Sequence, residues 1–233
     1  MRNLHKMALF ICLSGALFAQ AESNDGFKKA EQYFFQKKYE IAEEMLIQVI
    51  QKNPSHTKAY SYLGDINLFY RRYDNAIKYY NQAKTVSSKP GQEYFRLGQV
   101  YLELKKPEEA LDNFLSAYSL DPSFKPSLYE AGYVYLVYKR DKLKTIEYWK
   151  KFINEAPMDA QYQQVKKAIA MLEDANCTIP PENSGISIEE VLMNCGSIIT
   201  PEFGKTHDAG AGVEKEKTNN DTEGLLNDTP NGF

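Results

Sequence analysis

Small residues recur along this chain at a constant interval, and that periodicity constrains the fold more than any other feature. Ala30, Gly64, Gly98 and Gly132 are separated from one another by 34 residues. A glycine inside a helix costs about 1 kcal/mol relative to alanine, so three glycines in one phase indicate positions where two helices must approach closely. The chain is therefore predicted to be a stack of similar units rather than a domain with a single core.

Large side chains recur at fixed distances from these small residues. In the third unit, Tyr94 and Leu97 precede Gly98 by four residues and one residue, and Tyr101 follows it by three. This spacing places all four residues on one face of a helix. A second apolar face follows and carries Phe114, sixteen residues after the glycine. Each unit is therefore predicted to contain two helices.

The ends of the units are marked by proline. Pro54, Pro122 and Pro157 each follow a second helix, where proline cannot continue the hydrogen-bonding pattern. With these prolines, the pattern resembles the tetratricopeptide repeat family, whose unit is a helix-turn-helix of 34 residues. The resemblance implies an all-α fold, a right-handed α-solenoid of four units closed by a C-terminal capping helix. The boundaries expected are 1–21 for a signal segment, 22–177 for the solenoid (units at about 22–56, 57–90, 91–124 and 125–157, capping helix at 158–177) and 178–233 for a tail.

Two units depart from the family pattern. The first unit has Lys29 where leucine is expected, as suits a first helix with no unit before it. The fourth unit has one additional residue in its turn, between Lys139 and Lys142, so Trp149 and Pro157 come one position late. We expect this insertion to be absorbed within the turn.

The first 21 residues have a different character. Arg2 and Lys6 precede an apolar run at 7–18, and 19–21 supply small residues for cleavage, a pattern typical of a secretory signal peptide. The run is shorter than the roughly 20 residues that span a bilayer. We expect an exported protein, periplasmic or secreted and bacterial in origin, with no transmembrane segment after cleavage. The alternatives are an uncleaved anchor and a chance apolar terminus.

The charge of the chain bears on its partners. Removal of Arg2 and Lys6 changes the formal net charge from −3 to −5. Nucleic-acid binding depends on clustered basic charge, so no nucleic acid is predicted as a partner. Basic residues do recur in the hairpin turns, where they suit the helix dipole; the alternative is a basic edge that contacts anionic lipid or polymer. These residues are Lys37, Lys38, Arg71, Arg72, Lys105, Lys106, Lys139 and Arg140.

Two cysteines remain after removal of the signal segment. Cys177 and Cys195 form a disulfide in one interpretation and stay as two thiols in the other, because sequence does not give their separation. A zinc site is not predicted, because no Cys-x-x-Cys pair occurs. The tail at 178–233 is expected to be mostly disordered, with a short helix at 187–194 that begins at a capping box. That helix either docks on the solenoid or forms only transiently.

The sequence offers little for catalysis. His56 is the single histidine of the repeat region, and no serine, cysteine or carboxylate pattern of a triad accompanies it. No metal, phosphate or calcium motif occurs, and carboxylate pairs such as Glu108 and Glu109 point in different directions on a helix. A protein without catalytic activity, cofactor or metal is predicted.

The family resemblance implies a binding surface on the first helices of the units. In tetratricopeptide proteins this concave groove holds an extended peptide or a partner helix, and aromatic anchors are expected here. A carboxylate clamp is not supported, because Glu31 and Asp65 lie among its positions. For deep positions such as Phe34 and Phe69, the alternative is that they seal one unit against the next. The candidate groove residues are Phe27, Phe34, Lys58, Tyr62, Phe69, Phe95, Arg96, Gln99, Tyr129 and Tyr133.

Two functions of different class follow from this surface. The first is an exported adaptor or scaffold that binds a peptide segment or helix of a partner protein in the aromatic groove. The second is a structural component of a cell-envelope assembly that uses its convex edge or its tail, with the groove filled by its own chain. An accessory subunit of an enzyme is a remote third.

Overall fold

The computed structural model of the protein describes residues 24–181 and 184–185, and within these ranges the chain is helical with no strand. The predicted all-α solenoid of tetratricopeptide-type helix pairs is confirmed. None of the described helices combines the length and apolar character needed to cross a membrane. The helices are α1 (24–35), α2 (Tyr39–Lys52), α3 (Thr57–Phe69), α4 (Tyr73–Val86), α5 (Gly91–Glu103), α6 (Pro107–Leu120), α7 (Pro126–Val137), α8 (Lys142–Glu155) and α9 (Tyr162–Glu173).

The helices pack against their neighbours along the chain. The hairpins α3/α4, α5/α6 and α7/α8 make the most extensive contacts, and α2/α3, α4/α5, α6/α7 and α8/α9 join consecutive units. The buried apolar residues accordingly form several clusters along the stack. Because each unit buries its apolar faces on the adjacent unit, the first helices stand side by side and can share one surface.

Each repeated glycine lies against an aromatic ring of the second helix of its own unit. A methyl group at any of the three glycines would come far closer to that ring than real Cβ atoms do. The separations from such a Cβ are 2.4 Å for Gly64 and Tyr80, 2.5 Å for Gly98 and Phe114, and 2.3 Å for Gly132 and Trp149. The first unit has Ala30 and Leu46 at the corresponding positions, both fully buried in one cluster. The close-packing interpretation of the period therefore agrees with the structure.

Some of the recurring basic residues of the turns also have an unusual backbone conformation, which their charge does not predict. Lys37, Arg71 and Lys105 adopt positive φ angles of 60°, 56° and 56°. In the third unit, the Lys105 N–H donates to the carbonyl of Leu102 at 2.9 Å, and the Lys106 N–H donates to that of Tyr101 at 2.8 Å. These two bonds form a Schellman motif, which usually has glycine at the left-handed position.

The turn of the fourth unit is wider by one residue, as the sequence predicts. The residue after the positive-φ Arg140 is Asp141, and its N–H donates to the carbonyl of Tyr135, six residues back instead of five, at 3.0 Å. The Asp141 side chain then caps α8 by accepting from the Lys144 N–H at 2.9 Å. The insertion ends within the turn, so Trp149 still faces Gly132.

The C-terminal end of the stack is closed by α9. Cys177 follows this helix, is buried in the same cluster as Trp149 and is disulfide-bonded. The Lys142 ammonium donates to the carbonyls of Asp174 at 3.1 Å and Cys177 at 2.7 Å, which ties the chain leaving α9 to the start of α8. Residues 1–21, the 187–194 segment and Cys195 lie outside the described residues, so the signal peptide, the tail helix and the identity of the pair remain predictions.

Candidate functional site

The first helices of the first three units surround one open pocket of about 560 Å³. Helices α1, α3 and α5 contribute one wall each, and residues 87–89 between α4 and α5 close one side. The lining residues are Phe34, Phe35, Thr57, Lys58, Ser61, Tyr62, Asp65, Ser87, Ser88, Lys89, Gln92, Glu93 and Arg96.

A buried ion pair forms part of the pocket. The Tyr80 hydroxyl donates to Asp65 Oδ1 at 2.7 Å, and Arg96 Nε lies 3.4 Å from the same oxygen. Arg96 Nη1 also donates to Gln99 Oε1 at 3.3 Å. Burial raises the pKa of Asp65, while Arg96 and Tyr80 act in the opposite direction. Both charges of the pair therefore have partners within the protein, as a buried ion pair requires.

Glu93 is the other buried carboxylate of the pocket. Glu93 lies on α5 and is 4% exposed. Its Oε1 accepts a hydrogen bond from Ser61 Oγ at 3.0 Å. Glu93 Oε2 is buried and has no hydrogen-bond partner among the described residues. A buried acceptor without a partner costs about 1–3 kcal/mol, more when it is charged. This oxygen is the least satisfied polar atom of the lining.

Tyr62 lies at the centre of the aromatic wall. Its ring is 5.8 Å from that of Phe27, 4.6 Å from Phe34 and 6.2 Å from Phe35. Its hydroxyl donates to Glu31 Oε1 at 3.0 Å, and burial together with Glu31 raises the pKa of Tyr62. Phe35, by contrast, is 64% exposed at the edge of the pocket. Tyr62 is therefore held in place, while Phe35 presents an accessible ring.

The pocket brings together part of the predicted groove. Phe34, Lys58, Tyr62 and Arg96 line it, and Gln99 adjoins it through its bond with Arg96. The other predicted residues do not line this pocket. They are Phe27, Phe69, Phe95, Tyr129 and Tyr133.

Three of these side chains lie elsewhere along the first helices. Phe27 is buried beneath Tyr62 and His56. Phe69 packs against Tyr39 at the end of α3 where the hairpin turn begins, and Tyr133 is half-buried on α7. Phe34 is buried, as expected for a residue that seals one unit against the next, and it also lines the pocket. Phe69 keeps about half of its surface exposed.

Tyr129 is a core residue, and its assignment to an open groove is corrected by the structure, whereas Phe95 is partly buried and packs against the core. Each stands three residues before its glycine, and its ring turns toward the aromatic residues of the second helix. The Phe95 ring lies 5.5 Å from that of Phe114. The Tyr129 ring stacks on Trp149 at 6.2 Å, its backbone carbonyl accepts from Trp149 Nε1 at 3.0 Å, and its side chain is 4% exposed.

The sequence-based prediction missed Glu93. One repeat earlier the same position is Ala59 and one repeat later it is Ser127, and both of these small residues are fully buried. A carboxylate between two units in which this position is small and buried was the available signal, although the first unit has the exposed Asp25 there. The segment 87–89, where the repeat lacks its proline, was missed as well because loops carry no periodicity.

The comparisons with known proteins agree on helical repeats. Residues 21–126 match the family model described as the tetratricopeptide repeat protein 21 C-terminal ARM domain. Over 125 residues, the chain is 31% identical to the human protein O-mannosyl-transferase TMTC3. That match includes 52% of this chain and 14% of the human protein, so the chain spans about one seventh of that relative.

Solved structures with low sequence identity share the fold. A tetratricopeptide repeat protein from Parabacteroides merdae superposes with a TM-score of 0.56 at 17% identity, over 64% of this chain and 59% of that one. The PilF protein of Pseudomonas aeruginosa gives 0.55 at 16% identity, over 77% and 78%. These likenesses support a helical-repeat protein of tetratricopeptide type and leave its partner to be argued from the pocket.

Proposed function

We propose that this tetratricopeptide-type chain is a non-catalytic adaptor that binds a segment of a partner protein in the pocket between α1, α3 and α5. The observation that carries the proposal is the convergence of three successive first helices on one cavity of about 560 Å³. Three aromatic rings line its wall together with ten polar or charged residues, so the pocket offers both apolar contact and many hydrogen-bonding groups. A row of first helices that share one surface also suits an extended peptide or a single helix.

Phe35 is the side chain most suited to anchor a partner. It is 64% exposed, and its ring stands edge-on to both Phe34 and Tyr62. Exposed aromatic residues beside a concave site are common energetic anchors of protein interfaces. The exposed Lys58 on α3 adds a charge at the same edge.

Export of the chain is the second part of this proposal. It rests on the signal-like pattern of residues 1–21 and is supported by the disulfide at Cys177, because disulfides persist in oxidising compartments. The partner would then be a periplasmic, secreted or envelope protein. Intact-mass analysis of the chain from its native host tests this part, since a mature protein that begins at residue 22 is expected. A chain retaining residues 1–21 would contradict it.

Site-specific photo-crosslinking in the native host tests the binding surface. A photoreactive phenylalanine analogue replaces Phe35 in the pocket or Leu143 on α8, which is 78% exposed and does not line the pocket. We expect a defined partner to be crosslinked from position 35 and not from position 143. Crosslinking from position 143 alone would instead favour a structural component held by its outer surface.

A further inference from the structure

We infer that the pocket recognises a basic side chain, Lys or Arg, of the partner segment, which donates a hydrogen bond to Glu93 Oε2. This inference rests on the proposed function and specifies the chemistry of the occupant.

The carboxylate of Glu93 is only partly satisfied by the protein. Ser61 Oγ satisfies Oε1 and positions the carboxylate, while Oε2 is buried with no hydrogen-bond partner among the described residues. A buried carboxylate oxygen is normally satisfied by a donor, and charged donors form the stronger bonds. Ligand entry would supply the donor that the described part of the chain lacks.

The buried charges of the pocket do not balance. Asp65 Oδ1 lies 3.4 Å from Arg96 Nε and accepts a hydrogen bond from Tyr80, and the same Arg96 guanidinium also attracts the Glu93 carboxylate. One guanidinium therefore serves two buried carboxylates of the lining, Asp65 and Glu93, which leaves one negative charge in excess. Lys58 and Lys89 are exposed at the pocket edge, where water and salt screen them. The uncompensated charge inside the pocket is therefore negative.

Aromatic rings belong to the same wall as this carboxylate. Phe34, Phe35 and Tyr62 supply ring surface on the α1 and α3 sides of the same cavity. Lysine and arginine combine an apolar stem with a terminal cation, and ring faces attract such cations. Rings on one side and a carboxylate on another match that combination better than they match an acidic or purely apolar side chain.

Selection from a phage-displayed library of random dodecapeptides tests the inference. Peptides are selected on the purified chain, and each peptide that loses affinity for the Phe35→Ala variant is assigned to the pocket. Binding constants are then measured by fluorescence polarisation for each such peptide and for versions in which single Lys or Arg residues are replaced by glutamine. The same measurements are made on Glu93→Gln and on Glu44→Gln, a control at an exposed position of α2.

We expect pocket-binding peptides to share one basic residue whose replacement by glutamine weakens binding about tenfold or more. The ratio of the dissociation constant of the glutamine version to that of the original peptide should fall close to one on Glu93→Gln. On Glu44→Gln the same ratio should stay unchanged. Pocket-binding peptides without a shared basic residue, or a ratio that survives Glu93→Gln, would overturn the inference while leaving the adaptor function intact. Failure to select any peptide that responds to Phe35→Ala would refute both.

The stability of the variants keeps these outcomes interpretable. Glu93→Gln removes a buried charge and keeps an oxygen for Ser61, so it should unfold at the same temperature as the native chain or at a higher one. Circular dichroism at 222 nm checks this. Loss of the ratio in a variant of unchanged stability then reports on recognition and not on folding.

Discussion

Gly98 and Phe114 are in backbone-to-ring contact, since a Cβ atom on Gly98 would lie 2.5 Å from that ring. The same relationship exists in the second and fourth units, and the first unit replaces it with Ala30 and Leu46. A larger residue on the first helix thus occurs together with a smaller residue on the second. We expect the distance between the two helices of each hairpin to depend on the combined size of these two residues.

Replacement of Gly98 by alanine tests this relationship. Alanine normally stabilises a helix, but here the methyl group would displace the Phe114 ring, and we expect a net loss of about 1–3 kcal/mol in the free energy of unfolding. Urea titration followed by circular dichroism measures it. The matched control is Gly26→Ala, where the nearest atom to the new methyl is 3.5 Å away and no loss is expected.

The first unit suggests a second substitution that should reduce the stability loss of Gly98→Ala. Combined with Phe114→Leu, which makes the third unit resemble Ala30 and Leu46, the Gly98→Ala change should cost less than it does alone. A double-mutant cycle measures the coupling. Costs that simply add would show that the two residues do not determine the spacing together.

Lys105→Gly is expected to stabilise the chain. Lys105 has a φ of 56°, a conformation that costs an ordinary residue roughly 1–2 kcal/mol and costs glycine little. Part of this gain is offset by the greater freedom of glycine in the unfolded chain, so a net increase of about 0.5–1 kcal/mol should appear in urea unfolding. Lys105→Ala is the control: it removes the same side chain but keeps a Cβ atom at the same φ, so it should show no such gain.

Much of the fold was predictable because it depends on local sterics. The 34-residue period, the glycines and the extra residue near Lys139 determine helix pairs, close approach and turn length within each unit. The direction of the rings was not predictable in the same way. Tyr62 and Phe95 lie two and three residues before a glycine, and this difference of about 100° around the helix separates a residue that lines the pocket from one that packs on the second helix. Glu93 was missed because its buried environment comes from α3, which is distant in sequence.

The pH dependence of stability should report on Glu130. Burial raises the pKa of this carboxyl from 4.5 to about 8. Between these values the unfolded chain has released the proton and the folded chain retains it, so the stability contributed by Glu130 is complete below 4.5 and is lost as pH rises to about 8. The expected loss is about 1.4 kcal/mol per pH unit. In Glu130→Gln, urea unfolding at several pH values should lack this component; an unchanged profile would contradict the assignment.

Alanine substitutions should separate core from binding surface. Tyr129→Ala removes a buried ring that packs on Trp149 and Phe152, and about 3–5 kcal/mol of stability should be lost. Phe35→Ala truncates an exposed ring, and its effect on stability should be below about 1 kcal/mol. Thermal unfolding of both variants measures the contrast. Similar losses would mean that Phe35 is a structural residue and not an accessible anchor.

Peptide mapping should identify the cysteine that pairs with Cys177. We expect a Cys177 to Cys195 link in non-reducing digests, because Cys12 lies in the segment predicted to be removed. Reduction should lower the unfolding temperature, since closing a loop of this size contributes about 3 kcal/mol. Mass spectrometry of the digests and thermal unfolding with and without reductant provide the readouts. A free thiol at Cys177 in the purified protein would contradict the assignment.

The wide turn before Asp141 has a consequence for the history of the chain. A residue was accommodated there without separating Gly132 from Trp149, because each glycine and its ring belong to one hairpin. A hairpin of this kind can be duplicated, lost or exchanged as a unit, because the residues that determine the spacing of its two helices lie within it. Adding a unit would then require only that its surface packs against the adjacent unit. The number of units can therefore change independently of the chemistry of the pocket.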